Sequence, residues 1–284
     1  MIPVEVFRSE ASAAHLHQQV RWREGLQCPR CQSESVIKYG SYREYQRYRC
    51  KNCGRTFNDK TGTIFACVEI GLDKLLFAFY SLLRFNTSIR QLDAELDVSY
   101  RSLHRRVEHS SDALDAPRID LAGPVEIDEF YVSAGKKGGE RDGWSRSRGL
   151  SKRGRGSYDG DKPPVFALVD RGSDQRYVIP SKSADESTVR LLLDDHEEES
   201  LTVYTDGFRA YDPLEKDETY QREAVIHGEG EYVDGDAHLN TCKSHRRGIS
   251  KNKLTAYLRL FELRRKILRK PGRDALKEII QTVL

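Results

Sequence analysis

The chain has 284 residues, 38% of them apolar and 32% charged, with 47 basic against 44 acidic side chains and a formal charge of +3. This is the composition of a folded, polar-surfaced protein with room for two domains, or one with appendages. No run of about 18 apolar residues exists, which excludes a conventional membrane-spanning helix. The start, Met1-Ile-Pro-Val-Glu-Val, has no basic segment followed by an apolar core, so no secretory signal is expected and the expected location is cytoplasmic. The balanced total hides local patches. Lys243 to Lys277 holds thirteen Lys or Arg against Glu262 and Asp274, and Arg141 to Arg155 is a second basic run. Such patches suit a polyanionic partner; a solvated surface is the plainer alternative.

Met1 to Glu24 reads as partly helical, with Val20 and Trp22 as packing residues. Then come Cys28-Pro-Arg-Cys31 and Cys50-Lys-Asn-Cys53, with eighteen residues between the pairs. In a chain without a signal, paired cysteines favour metal over disulfides. Each Cys-x-x-Cys turn brings two thiolates to one ion, and two turns complete the tetrahedron of a zinc ribbon. Zn2+ in a structural role is the expected occupant, and a rubredoxin-like iron site is the chemical runner-up. Gly54 offers permissive backbone after the second pair. Between the pairs a hairpin is expected, with Tyr39, Tyr42, Tyr45 and Tyr48 interleaved with Lys38, Arg43, Arg47 and Arg49. That surface suits DNA phosphate.

Leu72 to Arg84 has helical apolar spacing. Asn86-Thr-Ser88 caps a second helix from Ile89 to Leu96, Asp97-Val-Ser99 makes a short turn, and Ser99 can cap a third helix from Tyr100. This is a helix-turn-helix pattern, with Leu92, Leu96, Val98, Leu103 and Val107 as its small core. Arg101, Ser102, His104, Arg105 and Arg106 fall on or near the face that would enter a major groove. A plain three-helix connector is the alternative. Pro117 to Pro124 reads as a linker.

From Pro124 short strands take over. Val125-Glu-Ile-Asp128-Glu-Phe-Tyr131 is one, Pro164 to Asp170 and Gln175 to Ile179 form a hairpin, Asp185 to Leu193 is helical, and Leu201-Thr-Val-Tyr-Thr-Asp206 is a strand ending on a carboxylate. Ala224 to His227 is a last short strand, and Leu254 to Leu268 a helix. This is the ribonuclease-H-like order. It makes the first and fourth strands neighbours, so Asp128 and Asp206 should meet across 78 positions. Two aspartates can bridge a pair of Mg2+ or Mn2+ ions, a layout for two-metal phosphoryl chemistry. Glu126 should share a strand face with Asp128, and Glu129 should point the other way.

The paired cysteines, "VEIDEFYV", "VYTDGFRAY", "VIHGEGEYVDGDAHLNTCKS" and "GISKNKLTAYLRLFELRRK" resemble, in order and over almost the whole chain, the DDE transposases of zinc-ribbon-bearing insertion sequences. The resemblance implies an α+β to α/β protein. Its parts are residues 1–60 with a four-cysteine ribbon, 61–117 with a helix-turn-helix, and 118–284 as a ribonuclease-H-like catalytic core with a basic C-terminal helix. Asp128 and Asp206 match the catalytic aspartates, His227 a histidine after the fifth strand, and Asn240 the asparagine of the third motif. Three positions on, where the family carries a glutamate, stands Lys243, and the segment that follows is short. An ammonium there repels a metal ion; it can pair with phosphate or with Asp206. Arg246 and Arg247 would hold DNA backbone. Implied partners are double-stranded DNA, namely terminal inverted repeats and target, and further copies of the chain, at least a dimer. The implied setting is the nucleoid. Two readings follow: a metal-dependent strand-cleaving and strand-joining enzyme, or a catalytically degenerate derivative that only binds DNA, as a repressor.

Overall fold

The computed structural model describes residues 1–114, 119–132, 158, 162–173, 175–194, 200–224 and 253–283. By internal contact the chain forms two compact units. One is Met1–Asp115 with Arg259–Leu284, the other Ala116–Leu258. The C-terminal residues that the sequence attaches to the core thus close the first unit.

The first unit opens with helices α1 (Val4–Phe7) and α2 (Glu10–Arg21), and Ser9 caps α2 by accepting from the Ser12 N–H. A three-stranded antiparallel sheet follows, β1 (Val36–Tyr42), β2 (Tyr45–Cys50) and β3 (Thr56–Asn58), in that spatial order. Helices α3 (Leu72–Phe85), α4 (Ile89–Leu96) and α5 (Tyr100–Ala113) come next. Ser88 and Gln91 form a complete capping box at the start of α4, and Asp97 ends it in the left-handed conformation. Ser99 stands at the start of α5, but its side chain makes no capping bond, unlike the expectation. Leu92 and Leu103 are buried and Leu96, Val98 and Val107 half-buried, so the small core expected between α4 and α5 forms, and it merges with α3. Buried Leu263, Ile267, Ala275, Leu276, Ile279 and Ile280 complete this core. They come from the end of α7 (Leu254–Leu268) and from α8 (Gly272–Thr282).

Trp22 Nε1 and the Tyr48 hydroxyl both donate to Asp59 Oδ1, at 2.7 and 3.0 Å, and Gln18 donates to the Tyr48 oxygen at 2.8 Å. These bonds fasten α2 to the small sheet.

The second unit is built on a five-stranded mixed sheet. Its strands are β4 (Val125–Tyr131), β5 (Pro164–Asp170), β6 (Gln175–Pro180), β7 (Leu201–Thr205) and β8 (Tyr220–Ala224). The spatial order is β6-β5-β4-β7-β8, with β4, β5 and β6 antiparallel and β7 and β8 parallel to β4 and β7 respectively. This is the ribonuclease-H-like arrangement expected from the chain order. The last strand starts at Tyr220, four residues before the sequence placed it, and the rest of the expected Ala224–His227 span lies outside the described residues.

Strand alternation explains the layers. Val125, Ile127, Phe166, Leu168, Leu201 and Val203 pack with Val189, Leu192 and Leu193 of α6 (Glu186–Leu193) and with Tyr211 and Leu214 of a 3-10 helix, Arg209–Lys216. Phe130, Val165 and Val178 form a separate cluster with Leu254 and Leu258. The sheet is therefore covered on both sides, as parallel strands require.

The β5–β6 turn is held by buried Asp170, which accepts from Ala122 N (2.9 Å), Gly172 N (2.8 Å) and the Ser173 hydroxyl (2.6 Å). Gly172 is needed there, because a Cβ would meet the Ala122 carbonyl oxygen at 2.8 Å. Burial pushes the Asp170 pKa up, but these donors outweigh it and the net shift is downward. A lowered folded pKa contributes stability that is fully present above the ordinary carboxylate value of about 3.9 and lost as pH falls through the folded value. Asp170→Asn should therefore lower the urea midpoint at pH 7 and shrink the difference from wild type below about pH 4. Parallel midpoint-against-pH curves for the two proteins would contradict this.

Candidate active site and metal centres

Two clusters of potential metal ligands stand out among the described residues, one in each unit. In the first, the Sγ atoms of Cys28, Cys31, Cys50 and Cys53 all lie within 4.8 Å of one another. Cys28–Cys53 and Cys31–Cys50 are each 3.6 Å apart, far too long for a disulfide bond of about 2.05 Å. With Zn–S bonds of about 2.3 Å a regular tetrahedron has edges of about 3.8 Å. The thiols thus fit a zinc ion without rearrangement. Backbone geometry prepares one of them, Cys28. Burial pushes the Cys28 pKa up, but the N–H groups of Arg30 and Cys31 outweigh it and bring it down to about 6. Gly54 adopts φ +72°, the left-handed turn expected of it. Tyr48, Phe57, Trp22 and Leu26 pack around the cysteines. So small a cluster cannot replace the metal as a source of folding free energy. Cys50→Ser should release zinc and unfold the small sheet while leaving the second unit intact. Full zinc occupancy by mass spectrometry of the variant would contradict this.

The second cluster sits where β4 and β7 part. Their parallel pairing covers Val125↔Val203 and Glu126↔Tyr204. Asp128 lies two residues beyond that pairing, and Asp206 follows the last residue of β7. The two carboxylates meet as expected, and Glu129 joins them, with one oxygen from each of Asp128, Glu129 and Asp206 within 4.8 Å of the others. The strand-face argument placed Glu129 away from the site and Glu126 near it, and side-chain reach reverses both. Glu129 does lie on the opposite face from Asp128. However, the β4–β7 ladder has ended there, so carboxylates from both faces can reach Asp206. Glu126 is instead bound by Arg171 of the β5–β6 turn, whose Nε donates to it at 2.6 Å.

Each of the other two carboxylates has a fixed donor nearby. Asp206 Oδ1 accepts from Phe208 N at 2.9 Å. Glu129 Oε2 accepts from the hydroxyl of fully buried Tyr211 at 3.0 Å. Burial, and next the negative charges of Glu129, Asp128 and Asp206, push the Tyr211 phenol far above its ordinary range. Arg222 of β8 closes the other side. Its side chain is 3% exposed and bonds Thr205 Oγ1 (2.8 Å), the Asp206 carbonyl (3.0 Å), Asp212 (3.0 Å) and Glu215 (2.8 Å). Asp128 is exposed, and Glu129 and Asp206 are half-buried, so the cluster is open to solvent. Hard carboxylate oxygens at this spacing fit Mg2+ or Mn2+ better than a softer metal.

Comparison with known proteins follows the same division. Residues 8–56 match a model described as a transposase zinc-ribbon domain, and residues 120–264 one described as an ISXO2-like transposase domain. A protein of Halobacterium salinarum, described as an uncharacterized protein in transposable element ISH50, is 60% identical over 294 residues, with all of both chains covered. The chain belongs to the ISXO2-like transposase family. Among solved structures, a pre-cleavage Mos1 transpososome aligns at 12% identity over 71% of this chain and 73% of that one, with a TM-score of 0.31. An intasome of simian T-cell lymphotropic virus with PP2A regulatory subunit B56 gamma aligns at 12% over 72% and 67%, with a TM-score of 0.26.

In this transposase the remaining sequence-derived residues are placed unevenly. His227, Asn240, Lys243, Arg246 and Arg247 lie outside the described residues. On α5, Arg101, Ser102 and Arg105 are exposed. His104 is half-exposed and its Nδ1 lies 3.2 Å from Glu108. Arg106 is turned inward and donates to the Ile64 carbonyl at 2.9 Å, which removes it from the exposed face. Tyr39 of the ribbon is exposed, with the Arg47 and Arg49 guanidiniums 5.8 and 5.6 Å from its ring centre. No described helix is long and apolar enough to cross a membrane. Sequence reading missed Glu129, Tyr211 and Arg222. The signal for Glu129 was an acid adjoining Asp128. For Tyr211 it was a Tyr five positions after Asp206, one turn into a helical segment. Nothing in the pattern pointed to Arg222.

Proposed function

We propose that this chain cuts DNA at the ends of its own element and joins those ends to target DNA, using divalent metal held by Asp128, Asp206 and Glu129. The observation that carries this reading is the convergence of the three carboxylates within 4.8 Å at the open end of the β4–β7 pair. Divalent ions at such a site polarise phosphoryl oxygens and activate the attacking one. The chain's own residues supply a fixed frame. The Phe208 N–H and the Arg222 clamp hold the end of β7, and Tyr211 holds Glu129. Glu129 thus provides a third carboxylate independently of position 243, where Lys243 stands in place of the expected glutamate.

Asn240 would complete the shell as a neutral ligand, His227 would orient water or phosphate, and Lys243 would pair with phosphate. These three roles rest on the family pattern alone. Arg101, Ser102, His104 and Arg105 would contact the terminal repeats in a major groove, and Arg246 and Arg247 the backbone. Arg106, held inward by Ile64, would steady the helix instead. The active form would be a dimer or larger, pairing two ends close to the nucleoid. Zinc would staple the ribbon and take no part in the chemistry.

Incubation of the purified protein with element-end DNA and Mg2+ or Mn2+ tests this. Nicking is expected, and Asp206→Ala or Asp128→Ala should abolish it while end binding persists. Glu129→Gln should reduce it by about 100-fold, in line with other losses of catalytic electrostatics. Binding without nicking would mark the chain as a degenerate binder. Arg105→Ala should weaken duplex binding and lower the slope of log K against log salt by about 0.9, as for one lost phosphate contact. An unchanged slope would exclude Arg105 from the phosphate interface.

A further inference from the structure

We infer that Tyr211 is a positioning residue that fixes Glu129 as a metal-binding carboxylate, an inference resting on the metal reading of the Asp128–Glu129–Asp206 cluster. Tyr211 is fully buried in the 3-10 helix that follows Asp206. Its ring packs edge-on against Phe208, 5.8 Å between centres, within the apolar layer beside Leu214. A phenylalanine would fill that layer as well. What the tyrosine adds is one hydroxyl, aimed at Glu129 Oε2 at 3.0 Å.

The segment from Asp206 to Tyr211 therefore has two prongs. Its Phe208 N–H holds the Asp206 carboxylate from β7, and its Tyr211 hydroxyl holds the Glu129 carboxylate from β4. The two prongs are locked together, because Tyr211 N donates to the Phe208 carbonyl at 3.0 Å. One short turn thus bonds both carboxylates, one on β4 and the other just past the end of β7. A glutamate is longer than an aspartate by one rotatable bond, and freezing it costs conformational entropy. A bond to one carboxylate oxygen restrains the side chain on the side of Asp206 and prepays that cost. Partners of this kind, bonded to a ligand rather than to the metal, typically change metal affinity by 10–100-fold when removed.

The test is Mn2+ binding to the full-length, zinc-loaded protein, followed by electron paramagnetic resonance of free Mn2+. Tyr211→Phe should raise the dissociation constant of the Asp206-dependent site by about 10-fold or more. Circular dichroism and the thermal midpoint without Mn2+ check that the ring still packs. In a Glu129→Gln background the same Tyr211→Phe change should alter affinity by less than about two-fold, since the bond it removes no longer serves a ligand. Affinity within two-fold of wild type for Tyr211→Phe, or an equal loss in both backgrounds, would overturn the inference and leave the phenol a packing group. A Mn2+ site that survives Asp206→Asn would overturn the metal reading itself, and this inference with it.

Discussion

Three carboxylates within 4.8 Å of one another are an arrangement that folding by itself resists. At an effective dielectric constant of about 20, two unit charges at that distance repel by about 3 kcal/mol. The cluster is tolerable because two of the three carboxylates, and the backbone beside them, are bound to something rigid. Asp206 is tied to a backbone N–H, Glu129 to a buried phenol, and the carbonyl beside them to an almost fully buried arginine. The rest of the second unit supports this one conflict. The parallel pairing of β4 and β7 brings the acids together, the end of that pairing opens the space between them, and the apolar layers on both faces hold the sheet.

The ribbon answers the same problem differently. Four thiols face one another within 4.8 Å in a sheet with few buried apolar residues. There an ion would supply the stability. In the second unit the protein supplies the stability and the ion would supply the chemistry. The contrast follows from core size, since β4 to β8 bury a layer of Leu, Val, Ile and Phe side chains that β1 to β3 lack.

Much of this was legible in the sequence, because local chemistry dictates it. Cysteine spacing announced the ribbon, the Ser88 cap and the Asp97 turn announced α4, and strand-end aspartates with the strand order announced the site. What was not legible depended on distances that a one-dimensional pattern does not carry. Strand alternation assigns faces correctly for Glu126, Asp128 and Glu129, yet it holds no information on where a neighbouring strand stops. Glu129 reaches Asp206 because β7 ends there, and Arg171, forty-five positions from Glu126, draws that acid off. Nothing in the sequence marks Arg222, two positions before the expected last strand, and it is the clamp at the end of β7. The inward turn of Arg106 was hidden for the same reason, since its acceptor, the Ile64 carbonyl, lies on a distant loop.

The first unit joins two stretches far apart in sequence, with Arg259–Leu284 supplying part of its core. During synthesis that core stays incomplete until α8 has left the ribosome, although domains otherwise tend to fold in order of emergence. A chain stopped before α7 would therefore leave α3, α4 and α5 without part of their apolar backing.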